Sequence, residues 1–284
     1  MVIGLFILIN VTEENSVKNK LRDMFFSPQI SVERIETPNT APFFRMNCQK
    51  YRGIVPFNTI IAVSGRLKDR IVAPRSVEIP PSSDLKLYNS DVLKRRLLMN
   101  TAVKTLEKVS CNRKNITLNI IDEYGKYYDL LENFVLLAGE IKVYTKHASN
   151  YSAVCKMIMK KYGLLVTVIP ETKFSDEYGV VISHDSRLVS PHFKGVLFTN
   201  DEASPECCTA IRGINVDISD YIKFSVSEFD ENTDIACALY DLCYAYSLGK
   251  LSYINIFVNG NDCSYEEAVN IISYRMTEYM VHKV

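Results

Sequence analysis

The most constraining feature of this sequence is the stretch from Asn115 to Asp201, where short apolar runs alternate with segments of helical periodicity. Unbroken runs rich in β-branched residues are typical of strands buried on both faces of a parallel sheet. The pattern predicts five strands, at Ile116–Ile121, Glu140–Thr145, Leu164–Ile169, Val180–Ser183 and Gly195–Thr199. It predicts helices at Lys126–Ala138 and Asn150–Tyr162, each ended by a left-handed glycine, Gly139 or Gly163. Right-handed crossovers would join the strands into one parallel sheet with helices on both faces, an α/β fold.

The flanking segments divide the chain into three predicted regions, 1–85, 86–205 and 206–284. The first is β-rich or mixed, because short β-prone pieces alternate with proline and glycine. Its predicted elements are strands at Val2–Ile9, Ile30–Ile35, Ile54–Val55, Thr59–Val63 and Arg70–Ala73, and a short helix within Thr12–Arg22. The segment Pro80–Ser83 is predicted to be a stiff, extended linker.

The helix after this linker is predicted to begin at Ser90 or Asp91 and to carry an apolar stripe as far as Val109. Its basic run Lys94-Arg95-Arg96 is interpreted as a solvated face rather than a phosphate or partner patch, because the chain has no net charge. The last region is predicted to combine short strands with two helices. Its elements are strands at Ile214–Ile218, Tyr221–Val226 and Tyr253–Val258, a helix at Asp234–Leu248, a turn at Asn259–Asp262, and a final helix to about Met280 with a Ser264/Glu267 capping box.

Composition narrows the classes of function. Lys plus Arg and Asp plus Glu number 33 each among 284 residues, so no net field draws the protein to nucleic acid or to an anionic membrane. The eight cysteines lack the spacing of a disulfide framework or a C-x-x-C motif, which indicates reduced thiols and a cytoplasmic location. The vicinal pair Cys207-Cys208 is interpreted as structural, and no metal site is expected. The abundant tyrosines favour core or subunit-interface roles, which leaves a homo-oligomer open.

Three segments of the central stretch have the order and spacing found in a known family: Ile120–Tyr127, Val143–His147 and Val180–His184. With these segments the chain resembles the NAD(P)-binding Rossmann domain of the shikimate dehydrogenase and glutamyl-tRNA reductase type. The resemblance implies a glycine-rich turn after the first strand, a loop after the second that selects NADP, and a nicotinamide site after the later strand. It also implies that the helices of the last region pack back beside the first region.

The turn after the first strand departs from that family's G-x-G-x-x-G pattern. Asp122, Tyr124 and Tyr127 occupy the three glycine positions, and Gly125 lies between them. Asp122 and Glu123 would also place carboxylates at a helix amino terminus, where they satisfy the helix dipole and repel phosphate. The resemblance therefore predicts a degenerate fingerprint in which the conventional dinucleotide pose is disfavoured.

Two further loops supply candidate ligand contacts. No acidic residue closes the second strand, so Thr145 and Lys146 are candidates for an NADP-like phosphate, with a solvated loop as the alternative. Ser183 and His184 end a later strand, where ligands bind in open α/β sheets. His184 is the candidate general acid or base, although Asp185 beside it would orient it only if the backbone turns there.

Three functional hypotheses remain open. The first is a non-redox protein that binds a small metabolite or partner in the crevice formed by Asp122, Glu123, Gly125, Thr145, Lys146 and Ser183. The second is an NAD(P)-dependent oxidoreductase that uses Lys146 for phosphate and His184 near the reacting carbon. The third is a structural or oligomeric protein. P-loop, hydrolase-elbow and zincin motifs do not occur in the sequence.

Overall fold

The computed structural model describes residues 5–12, 28–50, 54–226, 229 and 231–281. The chain forms two compact units: unit 1 comprises Met1–Leu93 and Val216–Gly249, and unit 2 comprises Lys94–Asn215 and Lys250–Val284. Both units are discontinuous in sequence. The division into three regions at residues 85 and 205 stays a prediction.

Unit 2 contains a sheet of eight strands. They are β5 (Thr117–Ile121), β6 (Glu140–Tyr144), β7 (Val166–Ile169), β8 (Val180–Ser183), β9 (Val196–Thr199), β10 (Thr209–Ile214), β11 (Asn255–Val258) and β12 (Asn261–Cys263). Their order across the sheet is β12-β11-β10-β9-β8-β5-β6-β7. Strands β5 to β10 are parallel and follow the 3-2-1-4-5-6 order of a Rossmann sheet, whereas β11 and β12 add an antiparallel edge. The unit is therefore an α/β domain with a Rossmann-like sheet.

The five strands predicted within residues 115–201 all form. The strand predicted at Ile214–Ile218 is wrong. The strand that forms, β10, ends at Ile214, and the chain then leaves the sheet. The strand predicted at Tyr221–Val226 is also absent from those six residues, which the structure describes as irregular. Apart from Ile214, which pairs with Asn255 as the last residue of β10, neither segment has a partner strand, and a local β-prone pattern does not supply one.

One face of the unit 2 sheet, here called the helical face, carries Leu118, Ile120 and Ile182. Three α-helices and a short 3₁₀ helix pack on it: α2 (Val92–Leu106), α3 (Ser152–Tyr162), α5 (Tyr265–Val281) and Tyr128–Phe134. The α-helix predicted at Lys126–Ala138 is thus wrong in type, since the buried spacing of Leu130, Leu131 and Phe134 suits the tighter 3₁₀ turn as well.

The two predicted glycine caps differ in outcome. Gly163 ends α3 with a φ of 67°, as predicted. Gly139 is not left-handed. Glycine is required at 139 because the backbone of Lys114 lies so close that a Cβ atom would stand 2.1 Å from its carbonyl oxygen.

The opposite face, here called the irregular face, carries Ile121, Val181 and Leu197. Residues 170–179, 184–195 and 200–208 connect β7 through β10, and none of these fully described connections contains an α-helix. Phe174 and Phe193 instead cover the strands, with their rings packed edge to face at 5.6 Å. Two of the connections pair through backbone bonds from Phe174 N to Leu188 O and from Ser190 N to Phe174 O. The prediction of helices on both faces is therefore wrong.

Unit 1 contains a mixed sheet of four strands, β1 (Ile7–Thr12), β2 (Ile30–Ile35), β3 (Phe43–Gln49) and β4 (Ile71–Val72). Their order across the sheet is β2-β3-β1-β4. Strands β3 and β4 run parallel to β1, and β2 pairs antiparallel with β3. Among the described residues of this unit, two segments form α-helices, α1 (Phe57–Ser64) and α4 (Thr233–Leu242), and α4 lies beside β4. The predicted return of a late helix to the first region thus holds for α4, whereas α5 packs in unit 2.

Several predictions in unit 1 need correction. Thr59–Val63 lies in α1 rather than in a strand, because the buried residues Ile60 and Ser64 are four positions apart, which is a helical and not an alternating spacing. Pro80–Ser83 forms a turn closed by a bond from Ser83 N to Pro80 O, not an extended linker. The helix predicted at Asp234–Leu248 ends at Leu242. The helix predicted within Thr12–Arg22 falls on residues 13–22, outside the described residues, as does the start of the Val2–Ile9 strand.

The C-terminal hairpin and helix follow their sequence signals. Asn259 and Gly260 both have positive φ, at 51° and 81°, as a two-residue turn between β11 and β12 requires. Ser264 and Glu267 form the predicted capping box: Glu267 N donates to Ser264 Oγ, and Ser264 N donates to Glu267 Oε2. In the described part of the chain, every helix is too short or too polar to cross a membrane.

Candidate functional site

The candidate site lies at the carboxyl ends of β5 and β8, where the strand order reverses direction and open α/β sheets bind ligands. A small crevice opens there between Asp122, Tyr124, Ser183, His184 and Arg95. Its volume is about 20 Å³, which is room for about one water molecule. A ligand larger than a single small polar group would have to move side chains aside.

Asp122 is the buried centre of the turn after β5. Its side chain is 1% exposed, and its Oδ2 atom accepts hydrogen bonds from the Tyr127 amide at 2.7 Å and from the Tyr151 hydroxyl. Burial and the neighbouring Asp122 charge raise the pKa of Tyr151 far above its usual range, so this hydroxyl stays protonated and donates. The carboxylate is thus satisfied by the protein's own groups at the start of the Tyr128–Phe134 helix.

The same turn is fixed by the loop that follows β6. Gly125 has a φ of 65°, and a Cβ atom there would stand 2.4 Å from the Cβ of His147. Asn150 Nδ2 donates to the Gly125 carbonyl oxygen at 2.9 Å. The turn therefore requires glycine at 125 both for its backbone conformation and for the close approach of the second loop.

The two phosphate candidates after β6 occupy different surroundings. Thr145 is fully buried, and its Oγ1 accepts from the His147 amide at 3.1 Å, so its hydroxyl holds the loop. Lys146 is exposed. Neither residue lines the crevice that contains Asp122, Glu123, Ser183 and His184, which means that the structure does not gather all the sequence candidates at one point.

Ser183 and His184 end β8 with different roles. Ser183 is fully buried, and its hydroxyl donates to the Asp185 carbonyl oxygen at 2.6 Å. Asp185 does not orient His184, because its carboxylate binds Arg187 at 2.6 Å and caps the Ser186–Leu188 turn. The Arg187 guanidinium lowers the pKa of Asp185.

Asn200, which follows β9, orients His184 instead. Its Nδ2 lies 2.8 Å from His184 Nδ1 and 3.1 Å from the carbonyl oxygen of Lys94. Because that carbonyl only accepts, the amide nitrogen must face both partners, and His184 Nδ1 is an acceptor. In the neutral imidazole the proton therefore resides on Nε2. Tyr253 fixes the amide from its other side by donating to Asn200 Oδ1 at 3.0 Å.

Arg95 is a further residue whose role at the crevice sequence reasoning missed. Its guanidinium carbon lies 4.1 Å from the centroid of the Tyr124 ring, and it is half-buried at the crevice. Its neighbour Arg96 binds Asp129 at 2.5 Å. The basic run of α2 is thus not a uniformly solvated face. The only sequence signal for Arg95 was that run itself.

Among the described residues, no three His, Cys, Asp or Glu side chains cluster as metal ligands do.

Comparison with known proteins yields no close relative. No protein-family model matches the chain, and no curated protein sequence matches it. A Δ1-pyrroline-2-carboxylate reductase of Thermococcus litoralis, solved with NADH and L-proline, shares 11% identity over 42% of this chain and 41% of that one, with a TM-score of 0.25. L-tryptophan dehydrogenase from Nostoc punctiforme shares 9% identity over 72% of this chain and 64% of that one, with a TM-score of 0.27. The chain thus spans less than two thirds of either structure, and we assign its fold from the strand order alone.

Proposed function

We propose that unit 2 is a Rossmann-like domain with a degenerate dinucleotide turn, and that it binds a small anionic metabolite without redox chemistry. The observation that carries this proposal is the Asp122 carboxylate, which accepts the Tyr127 amide and the Tyr151 hydroxyl at the turn after the first strand of the sheet.

A dinucleotide in the usual pose rests its diphosphate on the backbone amides of that turn. Here one of those amides is taken by a buried carboxylate, and a phosphate placed beside Asp122 would meet an unscreened negative charge. The three family glycines are replaced by larger residues, and Tyr127 is itself buried. The residues present therefore do not fit a diphosphate in that pose, and the proposed binding involves no nicotinamide.

A single carboxylate or a similar small anion carries less charge than a diphosphate, so Arg95 can better offset its repulsion by the Asp122, Glu123 and Asp185 carboxylates that also line the crevice. Arg95 supplies a fixed positive charge, and His184 Nε2 supplies an N–H donor. Tyr124 is 48% exposed, so its ring is free to swing away from Arg95 and enlarge the opening. Binding would thus replace a cation–π contact with a charge-assisted hydrogen bond.

One observation favours the rival, an NADP-dependent oxidoreductase. Lys146 is exposed at the carboxyl end of β6, and no acidic side chain closes that strand against a ribose phosphate. Under this hypothesis His184 would stand near the reacting carbon. A structural or oligomeric role is the third hypothesis.

Ligand binding separates these hypotheses. We expect fluorescence titration with NADPH and NADH to show no saturable binding up to about 1 mM, which is the weak limit for a specific small-ligand site. Thermal-shift measurements with pyruvate, malonate, citrate and inorganic phosphate should show stabilisation by at least one anion. Arg95→Met and His184→Phe should each abolish that shift, and Arg66→Met, which alters an exposed arginine of unit 1, should leave it unchanged.

Micromolar NADPH binding that Lys146→Ala weakens would instead establish the rival. A tight oligomer that responds to neither ligand class would favour the structural role.

A further inference from the structure

We propose that unit 2 has a second binding site, for an α-amino acid with an apolar side chain, on the irregular face over β10 and β11. A cavity of about 610 Å³ lies there, within the usual range of small-molecule sites, about 300–1,000 Å³. It is separate from the crevice at His184 and does not depend on the proposed function.

The cavity exists because the crossover from β9 to β10 is short. Residues 200–208 connect two parallel strands without an α-helix, so they cover only part of the sheet. Alternation along β10 sends Ile211 to the helical-face core and leaves Ala210 and Arg212 on the cavity side. The floor of the cavity is therefore sheet surface that a helix would cover in a regular doubly wound domain.

The floor combines a cation with an apolar surface. Arg212 and Phe257 are register partners on adjacent strands, and both line the cavity with Ala210. The Arg212 side chain is only 19% exposed. A partly buried guanidinium is well suited to bind a carboxylate in a bidentate manner, and the adjacent ring gives an apolar side chain a surface to pack on.

The wall formed by the crossover is acidic. Asp201, Glu202 and Glu206 line it, so together with Arg212 the lining carries a net charge of about −2. Ser186 holds Asp201 in place, donating from its amide and its hydroxyl to Oδ2 at 2.7 and 3.0 Å. This charge repels a simple carboxylate but attracts an ammonium group.

Glu202 currently pairs with Arg212 at 3.4 Å, but its own side chain is 68% exposed. Because the Glu202 side of the pair is solvent-exposed, a ligand carboxylate would compete for the partly buried Arg212 and release Glu202 towards the ligand ammonium. Arg212 on the floor complements the carboxylate of a zwitterion, and the carboxylates of the wall complement its ammonium group. Phe257 favours a ligand with an apolar side chain.

Isothermal titration with L-phenylalanine and L-leucine tests the site. We expect saturable binding of at least one of them. For L-phenylalanine, 3-phenylpropionate, which lacks the ammonium, and 2-phenylethylamine, which lacks the carboxylate, should each bind at least tenfold more weakly. Arg212→Met should remove the preference for the amino acid over the amine. Arg187→Met is the matched control, because it removes another ion-paired arginine, one that does not line this cavity.

Glu206→Gln is a second variant, which keeps the test valid if Arg212→Met misfolds. Glu206 is exposed on the rim of the cavity, so its substitution should not disturb folding. This variant should weaken L-phenylalanine binding several-fold but should not weaken 3-phenylpropionate binding, because the Glu206 charge repels the carboxylate of that ligand. The proposal is overturned if neither amino acid binds, or if 2-phenylethylamine binds as tightly as L-phenylalanine. Neither result bears on anion binding at Arg95 and His184.

Discussion

The two faces of the unit 2 sheet are shielded from solvent in different ways. On the helical face, α2, α3 and α5 shield Leu118, Ile120 and their neighbours, and the backbone groups of these covering segments are satisfied within each helix. On the irregular face, Phe174 and Phe193 shield the strands while their backbones pair only at isolated points. Aromatic rings thus cover strand surface without a helix, but they leave β10 and β11 partly open.

The comparison also separates the two candidate sites. The crevice at His184 lies at the strand ends, where the fold itself gathers loops. The cavity over Arg212 lies on the open part of the irregular face. A regular domain with helices on both faces would keep the first and lose the second.

Matched core truncations should have the largest effect and would test whether the faces are equally well packed. Phe134 on the helical face and Phe193 on the irregular face are both fully buried. We expect Phe134→Ala and Phe193→Ala each to lower the free energy of unfolding by about 3–5 kcal/mol, measured by urea denaturation with circular dichroism. A loss below about 1 kcal/mol for Phe193→Ala alone would mean that the irregular face is loosely packed.

Thiol labelling should show the next largest difference. Cys208 is buried under the irregular face, and burial raises its pKa to about 11, whereas Cys207 is exposed. At pH 8 we expect iodoacetamide to modify Cys208 in the native protein about a hundredfold more slowly than in the urea-unfolded protein, because raising its pKa from 9.0 to about 11 reduces the thiolate fraction by about that factor.

The sign of the pH effect follows from the raised pKa. The neutral thiol favours the folded state below its ordinary pKa, and that stabilisation is lost as the pH rises through about 11. Mass spectrometry should therefore show Cys208 labelling increase towards that pH. Equal labelling of both cysteines in native protein at pH 8 would contradict the packing, and urea-unfolded protein gives the reference rates.

A smaller effect is expected where the helical face meets the turn after β5. Tyr151→Phe removes one of the two donors to the buried Asp122 carboxylate and should lower the free energy of unfolding by about 1–3 kcal/mol. Tyr128→Phe is the control, because that ring is 45% exposed and packs edge to face on Tyr151 at 6.4 Å. The same loss in both variants would show that the hydroxyl bond to Asp122 contributes nothing specific.

The smallest effect belongs to the cap of α5 on the helical face. Ser264→Ala removes the acceptor for the Glu267 amide and should cost about 1 kcal/mol in thermal or urea unfolding. Ser76→Ala, at an exposed position in unit 1, should stay within about 0.5 kcal/mol of the parent. No difference between the two variants would mean that α5 is held by packing alone.

The sequence predicted the buried strands well, because apolar β-branched residues and leucine dominate Ile116–Ile121 and Val180–Ser183. It missed β10, where the apolar pattern is interrupted by Gly213 and by Arg212, the latter on the face that stays open. It also predicted an α-helix at 126–138, since helical spacing alone does not distinguish an α-helix from a 3₁₀ turn.

At the candidate site, position in the chain was enough to single out Asp122 and His184. The sequence did not identify Asn200 and Tyr253. Asn200 contacts His184 from 16 positions away and Tyr253 contacts Asn200 from 53, and no local pattern encodes such partners. Arg95 was visible only as part of a charged run, where burial decides its role and periodicity does not.

The hairpin formed by β11 and β12 at the edge of the unit 2 sheet limits association between copies of this protein. Its outermost strand, β12, is three residues long and half to fully solvent-exposed. An incoming chain would find too few unpaired backbone groups there to form a stable ladder, so this margin resists fibrillar growth and sheet-to-sheet self-association.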